Sequence, residues 1–453
     1  MMRFAKKALG AALAILALPC LAAAAEPLTL SQAVSRALAN NPGVQAAQAR
    51  VGASEQRVRQ ARSALFPRLD VSEGYQDTTS PLWAFGTRLN QGAITAADFD
   101  PRQLNDPSAI GNFNTAVALS VPVYDSGQSW TRLAQAKAGQ AAEGFSGESV
   151  RQQTAARAAR AYLGVQLARK NVAVMEQSLE TAKAHEDLIS AKLQSGFAVK
   201  SDLLRASVAR ARVEQELRKA RTSEKIARFY LNAAMGEEGT PEFDLVTDLS
   251  AGEPVSGDEQ EWVAKAEKGR PDLQAARKMQ EAAELAVKKA KLANLPAVDL
   301  RGAWETNTED FGDFKDSYTL GAQVRLNLFS GFYNDAKAKE AVQDLAAARA
   351  NVRALSEGIG VSVREAYWNA QRAHGCVDVS ALSVTQAEEA LRIITERYQA
   401  GLYTVVNLLD AADALEQSRL LHYRNIHDFR VAVVDLYASS GNGEEMLTQT
   451  QTP

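Results

Sequence analysis

The sequence predicts a mainly α-helical chain that also contributes strands to a transmembrane β-barrel. Three observations carry this: two helical patterns of about 68 residues, four short stretches of period-2 alternation, and an internal duplication that writes the arrangement twice. The 453-residue composition, 46% apolar and 23% charged, is that of an ordered, core-forming chain. With 51 basic and 54 acidic residues the net charge is −3, which argues against binding nucleic acid through bulk positive charge. Two cysteines rule out a disulfide-rich scaffold. Only one apolar run, at the extreme N-terminus, is long enough for a membrane helix, so a polytopic helical membrane protein is excluded.

That run has the layout of a secretory signal peptide over residues 1–25. Arg3, Lys6 and Lys7 open it, an apolar small-residue stretch follows, and Ala22-Ala23-Ala24-Ala25 precedes Glu26. A retained membrane anchor is the competing reading, which Pro19 and the alanine run weaken. The residues before Cys20 do not fit a lipoprotein signal, since Pro19 stands where a small residue is required. Removing the three basic residues leaves 48 basic against 54 acidic, a mature charge of −6, and only Cys376, so no intrachain disulfide is available.

Residues 42–76 align without a gap to 271–305 at an offset of 229, with 11 of 35 positions identical, Pro42/Pro271, Pro67/Pro296 and Asp70/Asp299 among them. A second block repeats at an offset of 205 and pairs Gly196 with Gly401, Leu203-Leu204 with Leu408-Leu409, and Gly236 with Gly441. Each copy reads helix, strand, loop, strand, long helix, tight turn, helix. The first copy predicts a helix over 30–65 stopped by Pro67, strands over 69–75 and 117–123, and a helix to Ser195. The second predicts a helix to Asn294, strands over 298–304 and 318–328, and a helix to Ala400. The change of offset places a longer insertion in the first copy at 78–112, which reads as a loop packed by Trp83, Phe85 and Phe99. The domains expected are the signal (1–25), a first repeat (26–236), a linker (237–270), a second repeat (271–441) and a mobile tail (442–453).

The strands decide the class. Tyr318, Leu320, Ala322, Val324, Leu326 and Leu328 share one face, while Thr319, Gly321, Gln323, Arg325 and Asn327 share the other. Strands with one apolar and one polar face are the unit of a membrane barrel, and Trp304 and Tyr318 read as interfacial aromatics at strand ends. Four strands cannot close such a barrel, and lipid tolerates no open edge. The chain must oligomerise: a dimer gives eight strands and a trimer twelve, and periodicity does not choose between them.

Export, duplication, two strand pairs and two long helical hairpins together resemble the TolC-like outer membrane efflux protein family, the outer membrane factors of tripartite efflux or type I secretion systems. The resemblance rests on Pro67 and Pro296, the turns ending in Gly127 and Gly331, the tips Ser195-Gly196-Phe197 and Ala400-Gly401-Leu402, and the downstream Asp202-Leu203-Leu204 and Asn407-Leu408-Leu409. It implies a homotrimer in the outer membrane, with a 12-stranded barrel above a periplasmic α-barrel tunnel. It also implies partners: a periplasmic adaptor (membrane fusion protein) and an inner-membrane pump. The function implied is a passive exit duct.

The resemblance assigns adaptor contact to the tips, Ser195, Gly196, Phe197, Ala400, Gly401 and Leu402. It assigns a pore constriction to Asp202, Asn407 and Asp410, with Asn407 departing from the aspartate typical of the family. In a trimer each carboxylate position forms a ring that attracts cations. Asp299, Arg301, Glu305, Gln323 and Arg325 read as the barrel lumen. Thr404 and Asn407 have capping-box spacing that Val199 and Asp202 lack. The resemblance also places the linker, with Trp262, in a belt around the tunnel.

No metalloprotease, hydrolase or phosphate-loop motif is present, so the reading is a non-enzyme with no cofactor. His374-Gly375-Cys376 offers too few ligands for a metal, and His185-Glu186-Asp187 reads as a solvated helix face. The alternative from another class is a soluble periplasmic coiled-coil scaffold or adaptor, which leaves the amphipathic strands unexplained.

Overall fold

A computed structural model describes residues 26–239 and 241–443; the signal segment and the last ten residues lie outside them. The first copy comprises α1 (Leu30–Asn40), α2 (Pro42–Ser63), β2 (Arg68–Thr78), β3 (Ile110–Tyr124), α5 (Gln128–Gln194) and α6 (Lys200–Met235). The second comprises α7 (Glu259–Gly269), α8 (Pro271–Leu292), β5 (Ala297–Thr308), β6 (Lys315–Arg325), α9 (Tyr333–Gln399) and α10 (Val405–Ser440). Equivalent helices have equal lengths: 11, 22, 67 and 36 residues in both copies. At ~1.5 Å per residue, α5 and α9 are each roughly 100 Å long.

The helix expected over 30–65 is broken. Pro42 lacks an N–H to continue α1, and Asn41 caps α2 by accepting from the Gly43 N–H at 2.8 Å. Arg270 and Pro271 repeat the break in the second copy. The segment read as a linker holds β4 (Phe243–Leu245), which pairs in parallel with β1 (Glu26–Leu28), and also α7. Both short strands lie against the middle of α5. Tyr162 donates to the Leu28 carbonyl at 3.0 Å, Gln166 to the Thr247 carbonyl at 2.7 Å, and Arg169 to the Leu245 carbonyl at 3.0 Å. The largest core gathers at this level, with Leu28, Ala158, Tyr162, Leu231, Trp262, Leu273, Ile359 and Phe429 buried. Trp262 meets Tyr437 edge-on at 5.1 Å.

The helices form one layer. Along it, α2 above and α6 below pack against α5; α5 packs against α8 and α10; those pack against α9. The free edges are therefore α2/α6 and α9. The four long strands form one antiparallel sheet in the order β2-β3-β5-β6, so β2 and β6 are its free edges. β6 stops at Arg325, three residues short of the expected end. Almost every residue of β2 and β6 is exposed on both faces, with Leu69, Val71, Leu320 and Val324 at 64–78%. Eleven strand residues, tilted as in membrane barrels, cover roughly 28 Å of depth, close to the apolar band of such barrels.

Two corrections concern this sheet. Trp304 and Tyr318 face each other inside the pairing rather than at strand ends. The outer rim carries Tyr75, Phe113, Phe311 and Phe314, whose rings meet in sequence at 4.7, 4.2 and 6.4 Å. The stretch expected to be a loop holds helices α3 (Pro81–Asn90) and α4 (Pro101–Asn105), joined by a 3-10 turn, Ala96–Phe99, and β3 begins already at Ile110. Phe85 and Phe99 stack edge-on at 5.8 Å, whereas Trp83 stays exposed.

Gly236 and Gly441 end α6 and α10 in the left-handed region, at φ +73° and +79°. A Cβ on Gly236 would lie 2.7 Å from the Asn40 carbonyl, and one on Gly441 would lie 2.9 Å from the Arg270 Cα. Each glycine thus seats a lower helix against the break between two upper ones. Gly236→Ala is expected to cost at least about 2 kcal/mol, from left-handed strain plus a backbone clash. Gly196→Ala, whose Cβ would meet nothing within 4 Å, is expected to cost only about 1 kcal/mol. Thermal unfolding of the two detergent-solubilised variants checks the difference; equal losses would contradict it.

Candidate functional site

The end of the molecule far from the sheet is built from two helix-to-helix turns. In the first, the Phe197 N–H reaches the Lys192 carbonyl at 2.8 Å and the Gly196 N–H the Leu193 carbonyl at 3.1 Å. In the second, Leu402 reaches Arg397 at 2.9 Å and Gly401 reaches Tyr398 at 3.1 Å. Both are Schellman turns, and both glycines sit at φ +78°. Ser195 and Ala400 are the last-turn residues before them. An apolar residue at this position of a Schellman turn commonly packs back on its helix, whereas Phe197 is 83% and Leu402 64% exposed.

The two tips differ as the capping pattern suggests. Asn407 Oδ1 accepts from the Thr404 N–H at 3.1 Å and the Thr404 hydroxyl at 2.7 Å, while Val199 gives α6 no side-chain cap. Asn407 is thus engaged as a capping group. Asp202 is half-buried on the first turn of α6; Asp410 is exposed on α10. Among the described residues no hydrogen bond or ion pair joins Asp202, Asn407 and Asp410. Burial, and then the nearby Asp202 charge, push the Tyr398 phenol up.

Lys192 is the tip residue that sequence reasoning missed. Its Nζ donates to the Tyr398 carbonyl at 3.0 Å and the Gln399 carbonyl at 2.9 Å, and lies 5.0 Å from the Tyr398 ring centre. It fastens the first hairpin to the C-terminal end of α9, where a helix dipole favours a cation. A lysine three residues before the turn was the only signal.

At the other end, register places Asp299, Arg301, Glu305, Gln323 and Arg325 on one face of the sheet. Asp299 faces Gln323 and pairs diagonally with Arg325 at 3.4 Å. Arg68, Asp70, Asn112, Asn114 and Asn307 share that face. Sequence reasoning left them out, though the repeat alignment already set Asp70 beside Asp299. The opposite face carries Leu69, Val71, Val117, Leu119, Leu300, Leu320 and Val324. One face is fit for water and the other for lipid, at the end of a helical rod with apolar tips.

The profile of the family described as outer membrane efflux protein matches residues 33–237 and 262–442. The chain belongs to this family.

Membership places the chain in the outer membrane and favours a transport duct over a soluble scaffold. Among its relatives, protein CyaE of Bordetella pertussis is 24% identical over 425 residues, spanning 92% of this chain and 84% of that protein. Outer membrane protein TolC of Vibrio cholerae is 23% identical, spanning 95% and 94%. The Campylobacter jejuni CmeC outer membrane channel superposes with a TM-score of 0.77 at 17% identity, covering 93% of this chain and 89% of that one. The open Neisseria gonorrhoeae MtrE channel gives 0.76 at 17% identity, covering 93% and 91%.

Between tip and equator, the efflux-family helices enclose ionisable groups. His185, expected on a solvated face, is 6% exposed, and its Nδ1 has no partner among the described residues. It borders a cavity of about 40 Å³ shared with Ser178, Val213, Leu409 and Glu416. The charges around it are paired: Asp413 with Arg212, and Arg419 with Glu388 at 2.7 Å. Burial holds the His185 imidazole below its ordinary value and pushes the Glu416 carboxyl above its own.

His185 takes up a proton more readily when unfolded. Its contribution to stability is therefore complete above about pH 6.5 and is lost as the pH falls below it. Glu416 works in the opposite sense: its contribution is complete below about pH 4.5 and is lost as the pH rises through its folded value. Between about pH 7.5 and 5.5 the wild-type unfolding temperature is expected to fall more steeply than that of His185→Leu. Glu416→Gln is expected to raise the unfolding temperature at about pH 8 and leave it unchanged near pH 4. A pH profile of each variant checks the assignment.

Proposed function

We propose that three copies form a continuous passive duct, carrying substrates from a periplasmic adaptor and its inner-membrane pump across the outer membrane. One observation carries this reading: the sheet and the helical layer expose their edges in the same order. β2 and α2/α6 form one edge; β6 and α9 form the other. A head-to-tail contact that pairs β6 with the next copy's β2 also sets α9 beside the next copy's α6. Repeated around an axis, such contacts close a ring. Three copies give a twelve-stranded barrel above a helical tunnel, with residues 26–236 and 271–441 as alternating staves and 237–270 as the equatorial belt.

The edge helices are apolar where this contact needs them to be. α9 exposes Val361, Trp368, Val379, Leu382 and Ile393 at helical spacing; α6 exposes Leu204, Val208, Ile226, Phe229 and Tyr230. Trp368 and Phe229 each lie 33 residues from their own tip glycine, so they stand at one height. The duct needs no catalytic group of its own, since the pump supplies the driving force. Phe197 and Leu402 at the tips are the apolar contacts for the adaptor's helical hairpins. Asp202 and Asp410, with Asn407 between them in the sequence, surround the narrowest point as threefold rings.

Light scattering of the mature chain in mild detergent, with the detergent subtracted, is expected to give the mass of three chains. A monomer, or a chain soluble without detergent, would transfer the reading to the periplasmic scaffold. Leu382→Asp places a charge in the seam and is expected to shift the mass toward one chain. Phe197→Asp with Leu402→Asp is expected to abolish efflux in cells while trimer mass and outer-membrane fractionation stay unchanged. Asp410→Ala is expected to reduce cation preference in planar bilayers; an unaltered preference would remove Asp410 from the constriction.

A further inference from the structure

The helix α3 is amphipathic the wrong way round for a surface helix. Its packed side carries Ala84 and Arg88, and Arg88 donates to the buried Asp98 at 2.7 Å. Just beyond its end, Gln91 is 7% exposed and donates to the Gly111 carbonyl at 2.8 Å and to Asn112 Oδ1 at 3.0 Å. Its open side carries Leu82, Trp83 and Leu89, exposed by 78, 62 and 52%; Phe99, on the adjoining turn, is 59% exposed. Polar groups are spent on anchoring the insertion, and the large apolar side chains are left outward.

The anchors say which way the insertion leans. Asn112, Asn307 and Lys315 all belong to the polar face of the sheet. Asn112 donates to Asn307 Oδ1 at 2.8 Å, and Asn114 donates to the same oxygen at 3.1 Å. A Cβ on Gly92, which holds φ +64°, would come 3.1 Å from Lys315 Cε. The end of α3 therefore rests on the face of the sheet that lines the barrel interior, at the rim remote from the long helices. The second copy has only a short turn there, residues 309–314, so each chain supplies one such insertion.

The geometry points to a lid: the three α3 helices of the assembled duct meet at its outer mouth and bury Leu82, Trp83 and Leu89 against one another. This rests on the trimeric reading above. Twelve strands about 4.8 Å apart and tilted by about 40° close at a backbone diameter of roughly 24 Å. Wall side chains narrow that bore further, and an α-helix with its side chains is itself about 10 Å across. Three helices anchored by their C-terminal ends to the inner wall at this rim are brought within reach of one another across that mouth. The occupant of the apolar face is thus the same face of two further copies, and the contact forms an apolar constriction, which resists the passage of hydrated solutes.

The test is cross-linking in native outer membranes. In a Cys376→Ser background, Trp83→Cys and Leu89→Cys are each treated with a short bis-maleimide; Leu320→Cys, on the opposite face of the sheet, is the control. A two-chain adduct from the α3 positions and none from the control is expected. Absence of the adduct in a protein of three-chain mass overturns the lid and leaves the duct standing. Failure to find three chains overturns both. Quenching of Trp83 fluorescence by lipids with brominated acyl chains would place the insertion on the lipid side and also overturn the lid.

Discussion

An unpaired strand edge cannot stand in lipid, because nothing there can satisfy its N–H and C=O groups. The four-stranded sheet of this chain has two such edges and an apolar face with no protein over it. Most other features answer that constraint. The duplication supplies strands in pairs, the head-to-tail order of edges lets copies follow one another around an axis, and the helical layer repeats the same order below the membrane. The polar face can then enclose water while the apolar face meets acyl chains.

The two layers are coupled through the equator. α1 with α2, and α7 with α8, are broken pairs whose breaks receive Gly236 and Gly441 from below. Asn41 also reaches down, donating to the Ala234 carbonyl at 3.1 Å. The short strands β1 and β4 wrap the middle of α5, where the main core lies. Below it the helices touch along narrow seams of alanine and single apolar residues. Ile189, Ala206, Tyr398, Val405 and Leu408 make a separate small cluster near the tips.

Much of the fold was legible because duplication doubles every signal. Pro67 and Pro296 mark the helix-to-strand passages, Gly196 and Gly401 the tips, and strict alternation the strands. What escaped depended on partners distant in sequence. The helix expected over 30–65 ran through Pro42, and the break there is held by Asn41, which donates to the Ala234 carbonyl. His185 looked solvated because its helix is polar, and its burial comes from α6 and α10 crossing it. The insertion read as a loop because it is rich in proline, glycine, asparagine and aspartate; its helices depend on Arg88 finding Asp98 and Gln91 finding Asn112. At the tips the turn geometry was legible, but the Lys192 clasp joins segments some 200 residues apart.

The uneven core has a mechanical consequence. A 36-residue helix hung from the equator is a lever roughly 54 Å long. Tilting it by about 5° moves its tip by nearly 5 Å, through leverage alone. The fulcrum is the best-packed part of the molecule, and the moving end is held by one small cluster, a lysine and a few ion pairs. A chain built this way concentrates displacement at its tips, far from the sheet.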